Sequence, residues 1–180
     1  MVINGISLLL AAPIKDMLAH KLRNSQGVSH GLAEVGYDIR IKQSVDFCPG
    51  ETFLVDARLV QAQGTVLVLN DVGETSMLGP GNFCLASAME EFDMPDNLVG
   101  IVHDKSTWAR CGLSVFNTVI EPGWKGFLTL ELTYHGTKRL HIPAGSGIAQ
   151  VIFHRLTDPA AYKGSYQNQM DEPVPSIVKT

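Results

Sequence analysis

The sequence predicts a mainly β domain of the sandwich or barrel class, most simply a jelly roll, preceded by one short N-terminal helix. Three observations carry that reading. Short runs alternate apolar and polar residues along most of the chain, Gly- and Pro-rich turns separate them, and helical spacing is confined to the first residues.

From residue 6 to 23 the apolar positions fall at helical spacing and stop at "RNSQG", which predicts a helix there. Its apolar run "ISLLLAAPI" is too short to span a bilayer and is followed by Lys15 and Asp16, so it reads as a core-lining segment. Strands follow in "YDIRIKQSVDF", "ETFLVDARLV", "TVLVLNDV", "NFCLASAMEEF", "NLVGIVH", "LSVFNTVI", "GFLTLELTYH", "KRLHIPAG" and "GIAQVIFHRL". The turns between them read PG, DVG, GPG, MPD, PGW, HGT and PAG, residues that set turn dihedrals or cannot continue a strand. The last stretch, "YKGSYQNQMDEPVPSIVKT", is polar, carries two prolines and offers no core face, so alone it reads as a loose tail.

Length and composition narrow the class further. At 180 residues and 45% hydrophobic the chain suits one well-buried domain, and its net charge of -4 has no long like-charge block of the kind a nucleic-acid surface needs. Cys48, Cys84 and Cys111 form no CxxC or Cys/His pairing, which argues against a disulfide framework and a zinc site and for thiols in a reducing cytoplasm. His103, His135, His141 and His154 are scattered singly and read as structural or surface residues, and Trp108 as packing. Asp38 and Arg40 in "GYDIRI" read as a buried ion pair at a subunit interface.

Two stretches carry chemistry. In "GFLTLELTYH" the period of a strand places Leu128, Leu130, Leu132 and Tyr134 on one face and Phe127, Thr129, Glu131 and Thr133 on the other. Glu131 is then either a solvated face residue or a pocket carboxylate whose partial burial suits it to proton transfer. In "HDKSTWARCG", Asp104 or Ser106 is placed to cap a single helical turn ending at Gly112, gathering Lys105, Ser106, Thr107 and Arg110. That cluster is either a charged surface turn or a site for phosphate. Trp124, beside Glu121 in the PGW turn, either walls such a pocket or plugs the core.

Taken in order, these segments resemble the dCTP deaminase family, which shares its distorted jelly roll and trimeric organisation with trimeric dUTPases. The resemblance runs through "EVGYDIRI", "LGPGNFCLASAMEEFDMPDNLVGIVHDKSTWARCGLSV", "IEPGWKGFLTLEL", "IPAGSGIAQVIF" and "YKGSYQNQ", about residues 34 to 176. It implies a dUTPase-like fold over residues 1–180 as one domain, with 160–180 as a tail closing the active site. It also implies hydrolytic deamination of dCTP to dUTP, with Glu131 as the general acid/base and Ser106 and Arg110 holding the water and stabilising charge. Lys105, Thr107, Gln150, Tyr162, Tyr166 and Gln169 fall where family members bind the triphosphate, Glu121 where the sugar is met, and Trp124 in the turn beside it. The attacking water in the family needs no zinc, in keeping with a chain lacking the H-x-E and P-C-x-x-C arrangement. Magnesium travels with the nucleotide phosphates, so the protein supplies no metal ligands.

The chain departs from the family pattern at named positions. Glu121 replaces the common aspartate before "PGW" after a shortened loop, and Ser165 replaces the tail lysine of "GKYQ", with Lys163 the nearest substitute cation. The implied partners are dCTP, dUTP as a further nucleotide and dTTP as an inhibitor, with a homotrimer as the assembly and no nucleic acid or membrane. The resemblance also leaves open a dUTP or dCTP diphosphatase, a bifunctional deaminase forming dUMP, or a non-catalytic nucleotide-binding regulator.

Overall fold

The computed structural model describes residues 1–23, 27–49 and 82–178, together with the strand backbones within residues 50–81. The turns expected at 71–73 and at Gly50 lie outside the described residues, while Gly79 and Pro80, expected in a turn, end a strand instead.

The chain opens with β1 (Val2–Ile3) and α1 (Gly5–Ala11). The helix expected over residues 6–23 therefore stops at Ala11. Proline at position 13 bars its preceding residue from the right-handed helical region, and Ala12 turns left-handed at φ 44 while its N–H caps Leu8 O at 3.0 Å. Only Leu8 of this helix is buried, so the helical spacing beyond it does not mark a core face. The chain instead runs along the strand Phe83–Asp93 at this point, with Ile14 bridging Phe92 and Lys15 N–H donating to Glu91 O at 2.9 Å.

Next come β2 (Lys21–Leu22), β3 (His30–Leu32), β4 (Tyr37–Arg40) and β5 (Ser44–Cys48), then β6 (Thr52–Val55), β7 (Arg58–Gln61), β8 (Thr65–Leu69) and β9 (Thr75–Pro80). The second half supplies β10 (Phe83–Asp93), β11 (Leu98–Asp104), α2 (Ser106–Ala109), β12 (Leu113–Val115), β13 (Val119–Ile120), β14 (Lys125–Tyr134), β15 (Leu140–Ile142) and β16 (Gly147–Arg155). Among the described residues no helix is long and apolar enough to cross a membrane.

The strands form a seven-stranded sheet ordered β13-β11-β16-β4-β3-β2, with β1 also on β16, and a three-stranded sheet β10-β14-β12. A four-stranded sheet β15-β5-β8-β9 and the β6-β7 hairpin complete the architecture. All ladders pair antiparallel, so their inward faces alternate with outward ones. The core draws Leu8 from α1 and Tyr37, Phe47, Phe92, Leu98, Leu130 and Phe153 from these sheets, each fully buried and contributing on the order of 1.5–3 kcal/mol.

A bulge shapes the site strand. The β10–β14 register pairs Ser87 with Thr129 and then Glu91 with Phe127, so the stretch from Ala88 to Glu90 faces Leu128 alone. Within that bulge Glu90 is nearly buried and accepts from the Arg40 N–H and from Arg40 Nε, both at 2.8 Å. The expected Asp38–Arg40 pair is thus replaced by two others, Arg40 with Glu90 and Asp38 with Lys105. Two residues apart in β4, Asp38 and Arg40 fall on one face by strand alternation, but each is taken up by an oppositely charged side chain from another element, Lys105 and Glu90.

Candidate active site

A cavity of about 520 Å³ opens beside the polar face of β14, within the range of small-ligand pockets. Phe83 and Leu85 of β10 form one wall, and Thr118, Val119, Ile120, Glu121 and Trp124 line another. Leu128, Thr129 and Glu131 supply the strand, and Tyr162, Tyr166, Gln169, Val174 and Ser176 of the tail complete the lining.

Strand alternation places the expected carboxylate. Leu130, Leu132 and Tyr134 point into the core, whereas Thr129 and Glu131 line the cavity. Leu128 also reaches the cavity, an exception to the expected faces at the point where the bulge interrupts the register. Glu131 lies directly opposite Leu85 and diagonal to Phe83, apolar neighbours that take water from its carboxyl. Burial pushes the Glu131 carboxyl above the usual glutamate range, and a contact with its own backbone opposes this only in part.

The tail is not loose. Tyr162 N–H donates to Pro122 O at 2.8 Å, Asn168 N–H to Lys125 O at 2.9 Å, and Phe127 N–H to Gln169 O at 3.1 Å. Gln167 clamps the turn from both sides, accepting from Lys125 N–H at 2.8 Å and donating to Gly123 O at 2.9 Å. Trp124 serves both alternatives at once. Its ring packs at 5.9 Å from Phe92 in the core, while Nε1–H donates to Tyr166 O at 2.5 Å on the cavity side. Gly126 makes this docking possible: a β-carbon there would lie 2.5 Å from Gln169 N, and its φ of +128 is disfavoured for other residues. Glu121 is exposed at the cavity wall, and Lys163 is exposed and does not line it.

The second expected cluster lies elsewhere. Lys105, Ser106, Thr107, Arg110 and Gln150 do not line the Glu131 cavity of the same chain. Lys105 forms an ion pair with Asp38, the two side chains being 11% and 2% exposed, and Lys21 stands 3.9 Å from the same carboxylate oxygen. Gln150 sits between His103 and Asp38 in one cross-strand row and donates to Val35 O at 2.7 Å. Ser106, Thr107 and Arg110 are exposed on the short turn, which Trp108 pins by donating from Nε1 to Gly147 O at 2.7 Å. Neither expected cap forms, since α2 has no side-chain cap and Asp104 accepts from Val115 N–H at 2.7 Å.

Sequence reasoning missed several residues that shape both clusters. Asp38 as the counter-ion of Lys105 is signalled by no motif, because the partners are far apart in sequence. Phe83, Leu85 and Val174 at the cavity also carry no local signal, although the strand pairing implies the first two once β10 is set against β14.

A family model described as dCTP deaminase-like matches residues 9–156. The dCTP deaminase of Campylobacter curvus is 36% identical over 166 residues, covering 84% of this chain and 83% of the relative. Among solved structures, 2'-deoxycytidine 5'-triphosphate deaminase from Agrobacterium tumefaciens overlays with a TM-score of 0.54 at 17% identity, covering 86% of this chain and 47% of that one. The EIAV dUTPase overlays with a TM-score of 0.48 at 15% identity, over 86% of this chain and 92% of that one. The mainly β, dUTPase-like fold expected from the sequence holds, and the chain belongs to the dCTP deaminase-like family.

Proposed function

We propose that this protein hydrolytically deaminates dCTP to dUTP and ammonia, with Glu131 moving the protons. The observation that carries the reading is a half-buried carboxyl of raised proton affinity on the wall of a nucleoside-sized cavity. Family membership supports the substrate class, since the relative from Campylobacter curvus is named for dCTP deamination. In the reaction Glu131 accepts a proton as water adds to C4 of the base. It passes that proton to N3 as the C4–N3 double bond opens and then carries the remaining proton of the added hydroxyl to the exocyclic amine; the C4–N bond breaks, and ammonia leaves with the oxygen retained as the C4 carbonyl. A carboxyl whose burial raises its proton affinity suits this shuttle.

Ser106 and Arg110 are assigned to holding the water and to stabilising charge on the base. Because they lie outside the Glu131 cavity of their own chain, a second copy supplies them in a homotrimer. What supports this arrangement is the apolar surface at the cavity: Phe83 and Val119 of its lining are 48% and 53% exposed, and Phe116, its ring 6.1 Å from that of Phe83, is 51% exposed, a border that a neighbouring protomer would cover. On this reading Lys105, Thr107 and Gln150 meet the triphosphate, and the phosphates carry magnesium. Lys105 must exchange Asp38 for phosphate oxygens to do so. Tyr162, Tyr166 and Gln169 enclose the nucleotide from the tail, Glu121 meets the sugar and Trp124 walls the pocket.

The test is to incubate the full chain with magnesium and dCTP, dUTP or dCMP and to separate the products by anion exchange. Conversion of dCTP to dUTP is the expected result. Formation of dCMP, or no product from any substrate, overturns the reading, and dUMP from dCTP replaces it with a coupled enzyme.

A further inference from the structure

We propose that Thr129 is a positioning residue whose hydroxyl latches the C-terminal strap onto the strand that carries Glu131. The proposal rests on the reading of this cavity as the deamination site, because it gives that site its closing element.

The side chain occupies an unusual place for a threonine in a core strand. Thr129 is only 6% exposed, lines the cavity, and shares the face of β14 with Glu131 two residues on. Its hydroxyl donates to Gln169 Oε1 at 3.4 Å and accepts from Val174 N–H at 3.0 Å. One hydroxyl thereby uses both its donor and an acceptor position on the strap and closes the chain segment between Gln169 and Val174 into a loop. Two backbone bonds lead into this latch, Asn168 N–H to Lys125 O and Phe127 N–H to Gln169 O. The strap is thus fixed at alternate residues 125, 127 and 129, on the approach to Glu131.

The far side of the latch lies over the cavity. Val174 and Ser176 line it, and a second clip holds the chain beyond, with Ile177 N–H donating to Tyr166 Oη at 2.9 Å. Both clips use side-chain hydroxyls of residues that themselves line the cavity. Loss of the Thr129 hydroxyl leaves in place the backbone bonds at 125 and 127, the Tyr166 clip and the Lys42–Asp171 ion pair at 2.7 Å, and loosens the stretch around Val174, which excludes water from the Glu131 side. A threonine that merely filled the strand would not have its hydroxyl satisfied twice by one distant segment.

The experiment compares Thr129→Val, which keeps the shape and removes the hydroxyl, with Thr129→Ser, which keeps the hydroxyl. Hydrogen exchange of residues 166–176 is read on the ligand-free full chain, with KM and kcat for dCTP alongside. Thr129→Val should speed exchange over Gln169–Ser176 by about fivefold to tenfold, the equivalent of one or two hydrogen bonds. It should also raise KM for dCTP by a similar factor, whereas Thr129→Ser retains the protection. Val174→Pro removes the strap's own donor outside the core and should reproduce the Thr129→Val exchange pattern, so the proposal stays testable if the valine variant fails to fold. Unchanged exchange in Thr129→Val, or in Val174→Pro where only that variant folds, overturns the latch. Because exchange needs no substrate, faster exchange with no dCTP turnover in the unaltered chain overturns the proposed reaction and retains the latch.

Discussion

Replacing Glu131 with glutamine tests the proposed chemistry through two readouts of opposite character. Glutamine matches glutamate in size, so the cavity walls at Leu85, Thr129 and Tyr166 keep their packing and only the ionisable proton is lost. If Glu131 is the acid/base, turnover of dCTP should fall by about 10²–10⁴-fold, or about 3–5 kcal/mol in the barrier, with nucleotide binding largely retained. Stability should respond with a definite sign. Burial raises the folded-state pKa of Glu131, so the charged carboxylate is disfavoured in the fold relative to the unfolded chain. Below the unfolded-state pKa both states are protonated and this cost is absent. It appears as pH rises past that value and is complete above the folded-state pKa. Glu131→Gln should therefore be more stable than the unaltered protein at pH 7, with the gap closing as pH approaches 4. Thermal unfolding across pH 4–8 and ammonia release from dCTP are the assays. Turnover within tenfold of the unaltered enzyme, or a gap that widens toward low pH, would refute the reasoning.

Three further perturbations separate structural from functional charge. Lys105→Gln leaves the buried Asp38 carboxylate with Lys21 at 3.9 Å, so urea unfolding should show a loss of about 3 kcal/mol together with a raised KM for dCTP. Asp38→Asn should also lower stability but tighten dCTP binding, because it frees Lys105 for phosphate, as binding titrations can measure. Glu90→Ala strands the Arg40 guanidinium, which is 29% exposed, and should cost about 3 kcal/mol, at the low end for buried pairs. Its urea midpoint should fall at unchanged slope and with little response to salt.

The parts of this molecule that were legible in the sequence are those set by local periodicity. Alternation in "GFLTLELTYH" fixed which face Glu131 takes, and the same rule found β10, β11, β14 and β16. It failed wherever a single residue or a distant partner decided. Pro13 ended a helix whose apolar spacing continued, and β1, β2 and β3 are too short for any period to show. The tail carries no apolar stripe because it is held by amide and hydroxyl bonds to β14 and the PGW turn, interactions that hydropathy does not register. The cross-strand choice of Lys105 for Asp38 and of Arg40 for Glu90 depends on sheet order, which no local pattern encodes. The split between the Glu131 cavity and the Ser106–Arg110 turn was hidden for the same reason: adjacency in sequence implied adjacency in space.

That split follows from the topology. Glu131 stands on β14 in the three-stranded sheet, and the Lys105–Arg110 turn leaves the end of β11 in the seven-stranded sheet. Although β12 connects them along the chain, β12 pairs with β14 from the side of Tyr134, away from the Lys125–Thr129 segment that carries the strap. The strap and the carboxyl thus share one rigid strand, and rigid elements hold catalytic geometry more closely than loops do. The cationic turn, pinned separately by Trp108 to Gly147, is equally fixed but faces outward with Ser106, Thr107 and Arg110 exposed. Two preorganised halves that do not meet within one chain have to meet between chains if one nucleotide is to touch both. On the proposed reading assembly is then a condition of catalysis, and dilution below the assembly range removes activity before it unfolds the protomer.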